Sequence, residues 1–552
     1  MSTSARYGFS LCALMLVILT GCTTSHYRKS ADRDIYRIIG QRTPEVPNMD
    51  SNFTIEQTNT VSLEGLPVVT NVEEFLGADG DAEQGAYILS LEEALDIAVH
   101  RSRAYQTRKE QLYLTALSLT LARHAFTPIF SAGAQGDYSA DMTDKMAETH
   151  TTRGNGSVAV DWLVRDLGRL SVAFTTDFLR FLSGDPRTVA SSQVGATFTR
   201  PLLKNAGYKQ DKENLTQAER NLLYQLRDFT QFRKDFTVQI ATAYYGVLGI
   251  RDAIRNNYLN LQSSRKNAER TRALSEEGRV TTADLGRLQQ QELSAESSWI
   301  NSIRNYKQSL DNFKIQLGLN VETNIVLDDQ ELEALQIQHP DISVDDSIKV
   351  ALTGRLDYAN AKDRYEDAER QVELAADRLK PRLDFSASAT ALSDPAQNNR
   401  FSLPELDRYR WNAGLSLDPG LDRTAERNSY RSALISRDQA YRNVEQQEDQ
   451  IKLQVRDSWR TLDQAKRSYE ISDIGVKLAE RRVEEQNLLA ELGRARALDQ
   501  VDAQNAYLDS KNQRTQALVT HTIARLQFWN NMGILYIKDN GEWEEIEDAK
   551  VQ

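Results

Sequence analysis

Cysteine, proline and glycine are all scarce in this chain of 552 residues, and each shortage excludes a class of protein. The two cysteines, Cys12 and Cys22, are too few for a disulfide framework. The 27 glycines and 11 prolines make up about 7% of the chain, against an average near 12%, which excludes a collagen-like or Gly/Pro-rich protein. Basic residues (67) are outnumbered by acidic residues (79), so we expect no nucleic-acid partner, which would need a basic surface.

Patterns that carry catalysis or bind metals are also missing from the sequence. The six histidines are scattered without the spacing of metal ligands, and methionine is too sparse for a thioether site. No GxSxG, Walker A or GxGxxG pattern occurs. The sequence therefore predicts that the protein is not an enzyme and has no metal or other cofactor.

The first 22 residues are typical of a bacterial lipoprotein signal peptide. An apolar run from Tyr7 to Thr20 follows a basic residue and is too short to span a membrane as a helix. It ends in Leu19-Thr20-Gly21-Cys22, which is similar to a lipobox, although a cysteine can fall at this spacing by chance. We predict a signal peptide over 1–21 and acylation of Cys22, and Thr23 favours delivery to the outer membrane. No later stretch is apolar enough for a spanning helix.

Proline placement predicts two long helices. The windows 202–339 and 420–552 contain no proline, which costs about 3 kcal/mol inside a helix. From Leu215 to Leu261, apolar or small residues recur at a mean spacing of about 3.5, the period of a left-handed coiled coil.

The chain also repeats itself. Leu91–Ala134 aligns with Val344–Ala387, and further on Gly278-Arg279 aligns with Gly493-Arg494 at a constant offset of 215. The first copy carries 38 extra residues, almost all between Pro128 and Pro201. Each copy has the same order of short helix, strand region, long helix, glycine-containing tip and short helix.

This order predicts the domains of the chain. After the signal peptide we expect a lipidated tether (22–89), a first repeat (90–319), an inter-repeat segment (320–345), a second repeat (346–534) and an acidic tail (535–552). In the first repeat we place strands within 127–200, the long helix at 210–276 and the tip at 277–284; in the second, strands within 382–418, the long helix at 422–491 and the tip at 492–499.

Both strand regions alternate apolar and polar residues. Phe130, Ala132 and Ala134 share one face of the first, and Leu383 and Phe385 share one face of the second. This pattern is typical of a membrane barrel strand, but a half-exposed soluble sheet alternates identically.

Two strands per copy give four strands per chain, too few for a membrane barrel, so a spanning chain must pool strands with other chains. An additional hairpin within 156–179 can lengthen the strands, add strands or form an external loop.

The ensemble of these marks resembles the TolC family of bacterial outer-membrane efflux and secretion channels over residues 90–534. The marks are Arg200-Pro201-Leu202-Leu203, Asp418-Pro419-Gly420-Leu421, the two tips, and the closing Gln316-Leu317-Gly318-Leu319 and Asn531-Met532-Gly533-Ile534.

The resemblance implies a mainly α fold with membrane β structure: a two-repeat TolC-like fold with a long periplasmic α-helical barrel and a trimeric outer-membrane β-barrel. It implies a passive conduit of a tripartite efflux or type I secretion system. The implied partners are two further copies in a homotrimer, a periplasmic adaptor protein, an inner-membrane pump and outer-membrane lipid. The alternative is a structural periplasmic coiled-coil lipoprotein with a soluble β domain and no pore.

The resemblance also implies site residues. Asp499 and Asp502 match the acidic residues that line the periplasmic aperture in the family. The positions matched to tip and adaptor docking are Gly278, Arg279, Asp284, Gly493, Arg494 and Arg496. In the family the first-tip Asp can pair with an Arg of the second tip, an ion pair that acts as a latch between the tips. The position of that Arg is Ala495 here, so the latch is altered. Alternatively, these Asp residues only favour a helix N-terminus through its dipole.

Overall fold

The computed structural model describes residues 23–50, 52–56, 62–144, 147–183, 187–394, 401–492, 494 and 496–544. Within them the chain forms two compact units. The sheet unit comprises the described residues up to Gln41, with Tyr113–Gln225 and Ala361–Val444; the helical unit comprises Arg42–Leu112, Leu226–Asn360 and the described residues from Glu445 onward.

The α-helices follow the repeat. In chain order they are α1 (Thr24–Arg42), α2 (Leu91–Arg101), α3 (Arg103–His124), α4 (Lys209–Glu276), α5 (Thr282–Leu317), α6 (Gln330–Glu333), α7 (Val344–Gly354), α8 (Leu356–Arg378), α9 (Thr424–Glu491) and α10 (Ala497–Asn531). Helices α4 and α9 have 68 residues each, which corresponds to about 100 Å at 1.5 Å per residue.

The strands form two sheets. They are β1 (Tyr87–Leu89), β2 (Ile129–Asp144), β3 (Ala147–Val164), β4 (Gly168–Phe181), β5 (Thr188–Pro201), β6 (Ile325–Leu327), β7 (Arg382–Leu392) and β8 (Glu405–Asp418). Strands β1 and β6 pair in parallel in the helical unit. The other six form one antiparallel sheet in the order β2-β3-β4-β5-β7-β8. Of the three roles that the sequence leaves open for the extra hairpin, the structure has the one that adds two strands, so the sheet has six strands in the described residues.

The first helix of each repeat is interrupted, although the sequence predicts one continuous helix over about 90–126 and 346–379. Ser102 separates α2 from α3 and Arg355 separates α7 from α8, both with extended backbone. In the helical unit the glycine that ends each repeat lies against this break: Gly318 against Arg101 and Ser102, and Gly533 against Gly354 and Arg355.

The segment predicted as a tether begins with a helix. Ile35, Ile38 and Ile39 of α1 are buried, a spacing that places them on one helical face. Tyr113 Oη donates a hydrogen bond to Asp32 Oδ1 at 2.5 Å, which holds α1 in the sheet unit. The short apolar stripe, too brief to stand out by periodicity, explains why the sequence did not reveal this helix.

None of the helices in the described ranges combines the length and apolar character needed to cross a membrane.

Candidate functional site

The six-stranded sheet has one apolar face and one polar face, and the strand register carries both across all six strands. One row of directly paired residues is Phe130, Val160, Val172, Ala196, Ala389 and Trp411. The adjacent row on the opposite face is Ile129, Asp161, Ser171, Thr197, Ser388 and Asn412. Because side chains alternate along each strand, only a consistent register produces such rows.

The apolar face is solvent-exposed in the single chain. Phe130 is 76% exposed and Trp411 is 69% exposed. Most of the large exposed apolar side chains of the sheet lie on this face: Phe130, Tyr138, Met142, Val158, Trp162, Val172, Phe178, Tyr409, Trp411, Leu415 and Leu417. A contiguous apolar surface of this kind marks a surface that contacts lipid or another protein.

The sheet is open at both edges. Strand β2, with 16 residues, pairs only with β3, and β8, with 14 residues, pairs only with β7 in the described parts of the chain. Long edge strands present unpaired backbone groups that favour pairing with another chain. In lipid these groups have no water to bond, so both edges must be paired there.

The two predicted tips share one backbone hydrogen bond. At the end of α4, Gly278 adopts a left-handed conformation (φ 73°) and Arg279 N donates to Leu274 O at 2.9 Å. In the second repeat Arg494 N donates to Leu489 O at 2.8 Å, the same bond 215 residues later. Gly493 lies outside the described residues.

The helices after the tips begin differently. Thr281 Oγ1 accepts from Asp284 N at 3.1 Å and donates to Asp284 Oδ2 at 2.7 Å, so Thr281 is a side-chain N-cap of α5. Arg496, at the equivalent position before α10, makes no side-chain cap bond. Asp284 also lies 3.9 Å from Arg287 of its own helix. These contacts match the helix-start alternative for Asp284.

Asp499 and Asp502 lie in the first two turns of α10. Asp499 is half-buried and Asp502 is exposed, and no described residue forms a hydrogen bond or ion pair with either carboxylate. On the other side of this helix Ala497 packs with Ala268 and Leu288, and Val501 joins this small core. At 100° per residue, the carboxylates then project away from the helices that support α10.

Three arginines supply positive charge at the tips. Arg279, Arg494 and Arg496 are exposed, and the Arg279 guanidinium lies 3.6 Å from the Glu277 carboxylate. Such side chains are available to an external partner.

A buried ion cluster in the helical unit was not predicted. Arg251, only 4% exposed, lies 2.8 Å from Glu83 and 3.2 Å from Asp329, and it donates to Tyr306 Oη at 2.9 Å. Burial lowers the pKa of Arg251, but these acidic neighbours outweigh burial and raise it overall. The cluster joins the segment before β1 to α4 and α5. Charged residues are so frequent on these helices that the sequence carries no signal for it.

Comparisons with known proteins identify the fold. No family model and no curated protein matches the sequence. Among solved structures, the Campylobacter jejuni CmeC outer membrane channel is similar with a TM-score of 0.61 at 12% identity, covering 91% of this chain and 95% of CmeC. The outer membrane protein VceC of Vibrio cholerae has a TM-score of 0.60 at 13% identity, covering 80% of this chain and 96% of VceC.

The open state of the Neisseria gonorrhoeae MtrE outer membrane channel is also similar, with a TM-score of 0.58 at 12% identity over 80% of this chain and 89% of MtrE. The predicted two-repeat fold is confirmed: this chain has the fold of the TolC-family outer-membrane channels.

Proposed function

We propose that three copies of this chain form a passive channel across the outer membrane, in a tripartite efflux or type I secretion system. The observation that carries the proposal is the sheet with an exposed apolar face, a polar face and two open edges. A barrel that turns the apolar face to lipid and the polar face to a wet lumen satisfies both surfaces. A soluble β domain of a pore-less structural lipoprotein would leave the apolar face in water.

Barrel closure would occur between copies. Strand β8 of one copy pairs with β2 of the next, which removes both open edges at once. The long helices α4 and α9 then extend the conduit into the periplasm. Acylation of Cys22 anchors the chain to outer-membrane lipid.

The aperture would lie at the start of α10. Asp499 and Asp502 of three copies place six carboxylates around one axis, which favours cations. Thr281 forms hydrogen bonds with Asp284 within its own tip, so Asp284 does not serve as a latch between the tips. The acidic ring therefore depends on the two Asp residues of α10.

The exposed tip residues would dock the adaptor protein. Gly278 and Arg279 form the turn of the first tip. In the second tip the matching pair in the sequence is Gly493 and Arg494, and Arg496 adds a charge. The adaptor links the channel to an inner-membrane pump, which supplies the energy and selects the cargo. The channel itself carries out no catalysis.

The experiment measures ion conductance of the purified protein in planar bilayers. We expect trimers that conduct, with a preference for cations that decreases in the variant Asp499→Asn with Asp502→Asn. The matched control is Glu333→Gln with Asp341→Asn, which removes two exposed charges from the inter-repeat segment and should leave selectivity unchanged.

Two outcomes would contradict the proposal. A monomer that conducts no ions would exclude the channel, and unchanged selectivity in the Asp499 and Asp502 variant would exclude the acidic ring.

A separate experiment distinguishes the channel from a peripheral lipoprotein. Replacement of Cys22 by Ser should leave the channel membrane-integral in detergent-free extraction, whereas a peripheral lipoprotein would be released.

A further inference from the structure

We propose that the hairpin β3–β4 makes the barrel of this protein an eighteen-stranded one, with a lumen much wider than four strands per chain would give. The inference rests on the proposed function, because it assumes that three copies pool their strands. What is new is the strand number, the width that follows, and the position of the hairpin in the barrel wall.

The hairpin is paired along its length as part of the wall. Strand β3 pairs with β2 from Asp161 opposite Ile129 onward, and with β4 from Val164 opposite Gly168 to Thr151 opposite Phe181. Strand β4 pairs in turn with β5 over twelve consecutive positions, from Arg169 to Arg180. With 18 and 14 residues, the two strands are as long as their neighbours. An external loop would not be paired on both sides.

The hairpin also keeps the polarity of the wall. Val158, Val160 and Trp162 of β3 and Leu170, Val172 and Phe174 of β4 lie on the apolar face. The polar-face side chains between them are Ser157, Ala159, Asp161, Ser171, Ala173 and Thr175. A hairpin that stood in water would not need to match this alternation row by row. These residues therefore have the surfaces that a barrel strand needs on both sides.

Inserting two strands changes neither the direction of the other four strands nor which of their faces is apolar. Because the number is even, β2 and β5 still run in opposite directions. Phe130 and Ala196 lie in the same row, so β2 and β5 could pair directly with the same face outward. The four-stranded arrangement expected from the repeat is thus contained in the six-stranded one.

The turn of the hairpin is fastened at the end of the sheet where the helices begin. Trp162 Nε1 donates to Phe126 O, just after α3, at 3.2 Å. Asp166 forms an ion pair with Lys212 of α4. Arg169 N donates to Tyr208 Oη at 3.1 Å. These contacts with three separate points in the sheet unit place the turn level with the ends of the neighbouring strands.

The width follows from strand number. With strands about 4.8 Å apart and tilted by about 40°, eighteen strands close a barrel with a backbone diameter of about 36 Å, against about 24 Å for twelve. Side chains of about 5 Å on each side leave openings of about 26 Å and about 14 Å. The lumen-facing residues of the hairpin are mostly small, so they do not refill the added space. The barrel would admit hydrated solutes as wide as a small folded polypeptide.

The test measures lumen width from the outside of intact cells, where the periplasmic aperture does not limit access. Thr197→Cys, in the same row as Ser171 but on β5, places a thiol on the polar face near the helix-side end of the sheet, and maleimide-linked polyethylene glycols of increasing size are added. The matched control for width deletes residues 147–181 from the same variant. Ala196→Cys, on the apolar face of β5, is the control for orientation.

We expect polymers of up to about 13 Å radius to label Thr197→Cys in the full chain, and a limit reduced by about half after the deletion. Ala196→Cys should resist water-soluble reagent in both. Equal size limits, or labelling of Ala196→Cys, would overturn the inference while leaving the channel intact. No labelling of Thr197→Cys by the smallest reagent, together with no conductance, would instead refute the proposed function.

If the deletion variant fails to fold, a second measurement on the full chain tests the strand number. End-on electron-microscopic projections of the full chain in lipid nanodiscs should show a ring about 36 Å across at the level of the backbone. A ring of about 24 Å would overturn the inference.

Discussion

The close approach of Gly318 to the break between α2 and α3 leads to a quantitative prediction. Gly318 ends α5 in a left-handed conformation (φ 79°), and Leu319 N donates to Lys314 O at 2.9 Å in the bond that closes the helix. A Cβ atom built on Gly318 would overlap the carbonyl oxygen of Arg101 and lie 3.0 Å from Ser102 N. Both neighbours are backbone atoms, so neither can rotate away.

The variant Gly318→Ala should lower the free energy of unfolding for two reasons. The left-handed conformation costs a non-glycine residue about 1–2 kcal/mol. Overpacking against fixed neighbours adds about 1–3 kcal/mol, for a total of about 2–5 kcal/mol. Gly278 provides the matched control: it has a similar conformation (φ 73°), but a Cβ there would meet nothing within 4 Å. Gly278→Ala should therefore lose only the first contribution.

The assay is guanidinium unfolding of the detergent-solubilised protein, followed by far-ultraviolet circular dichroism. Midpoint shifts at a common slope convert to differences in the free energy of unfolding. Cleavage near Ser102 by a protease should also increase in Gly318→Ala, because the packing at the break is lost. If Gly318→Ala is no more destabilising than Gly278→Ala, the close approach does not hold the break and the reasoning is refuted.

Two further predictions concern a helix start and a buried histidine. Thr281→Ala should destabilise the tip by about 1 kcal/mol, because α5 loses its N-cap. Arg496→Ala, at the uncapped start of α10, should cause no such loss. Equal losses in guanidinium unfolding would contradict this difference. Burial, together with the positive charge of Arg525, lowers the pKa of the fully buried His521 from 6.5 to about 4. The unfolded chain therefore binds a proton at this position more readily than the folded chain does. The free energy of unfolding should fall as the pH drops from about 6.5 to about 4. His521→Leu should remove part of this loss, and a variant with an unchanged pH profile of stability would show that His521 is not its source.

The sequence determined those features that are local or periodic. Absence of proline and an apolar spacing near 3.5 predict long helices, and the structure has Lys209–Glu276 and Thr424–Glu491. Alternation predicts strands with two different faces, and the register confirms that these faces are continuous. The repeat makes both tips visible, and their turns share one backbone bond. Each of these properties depends on residues close together in the chain, so a single sequence contains it.

Tertiary structure decided what depends on distant residues. Alternation in 156–179 is the same whether the hairpin joins the sheet or stands outside it, and only pairing with β2 and β5 places it in the sheet. Gly318 lies against the break at Ser102, more than 200 residues away in the chain, and the carbonyl of Arg101 there leaves no room for a side chain. Thr281 binds Asp284, whereas no described residue pairs with Asp499, since Arg496 stands where the first tip has its capping threonine. A contact between remote segments has no local pattern, so its energy appears only once the chain has folded.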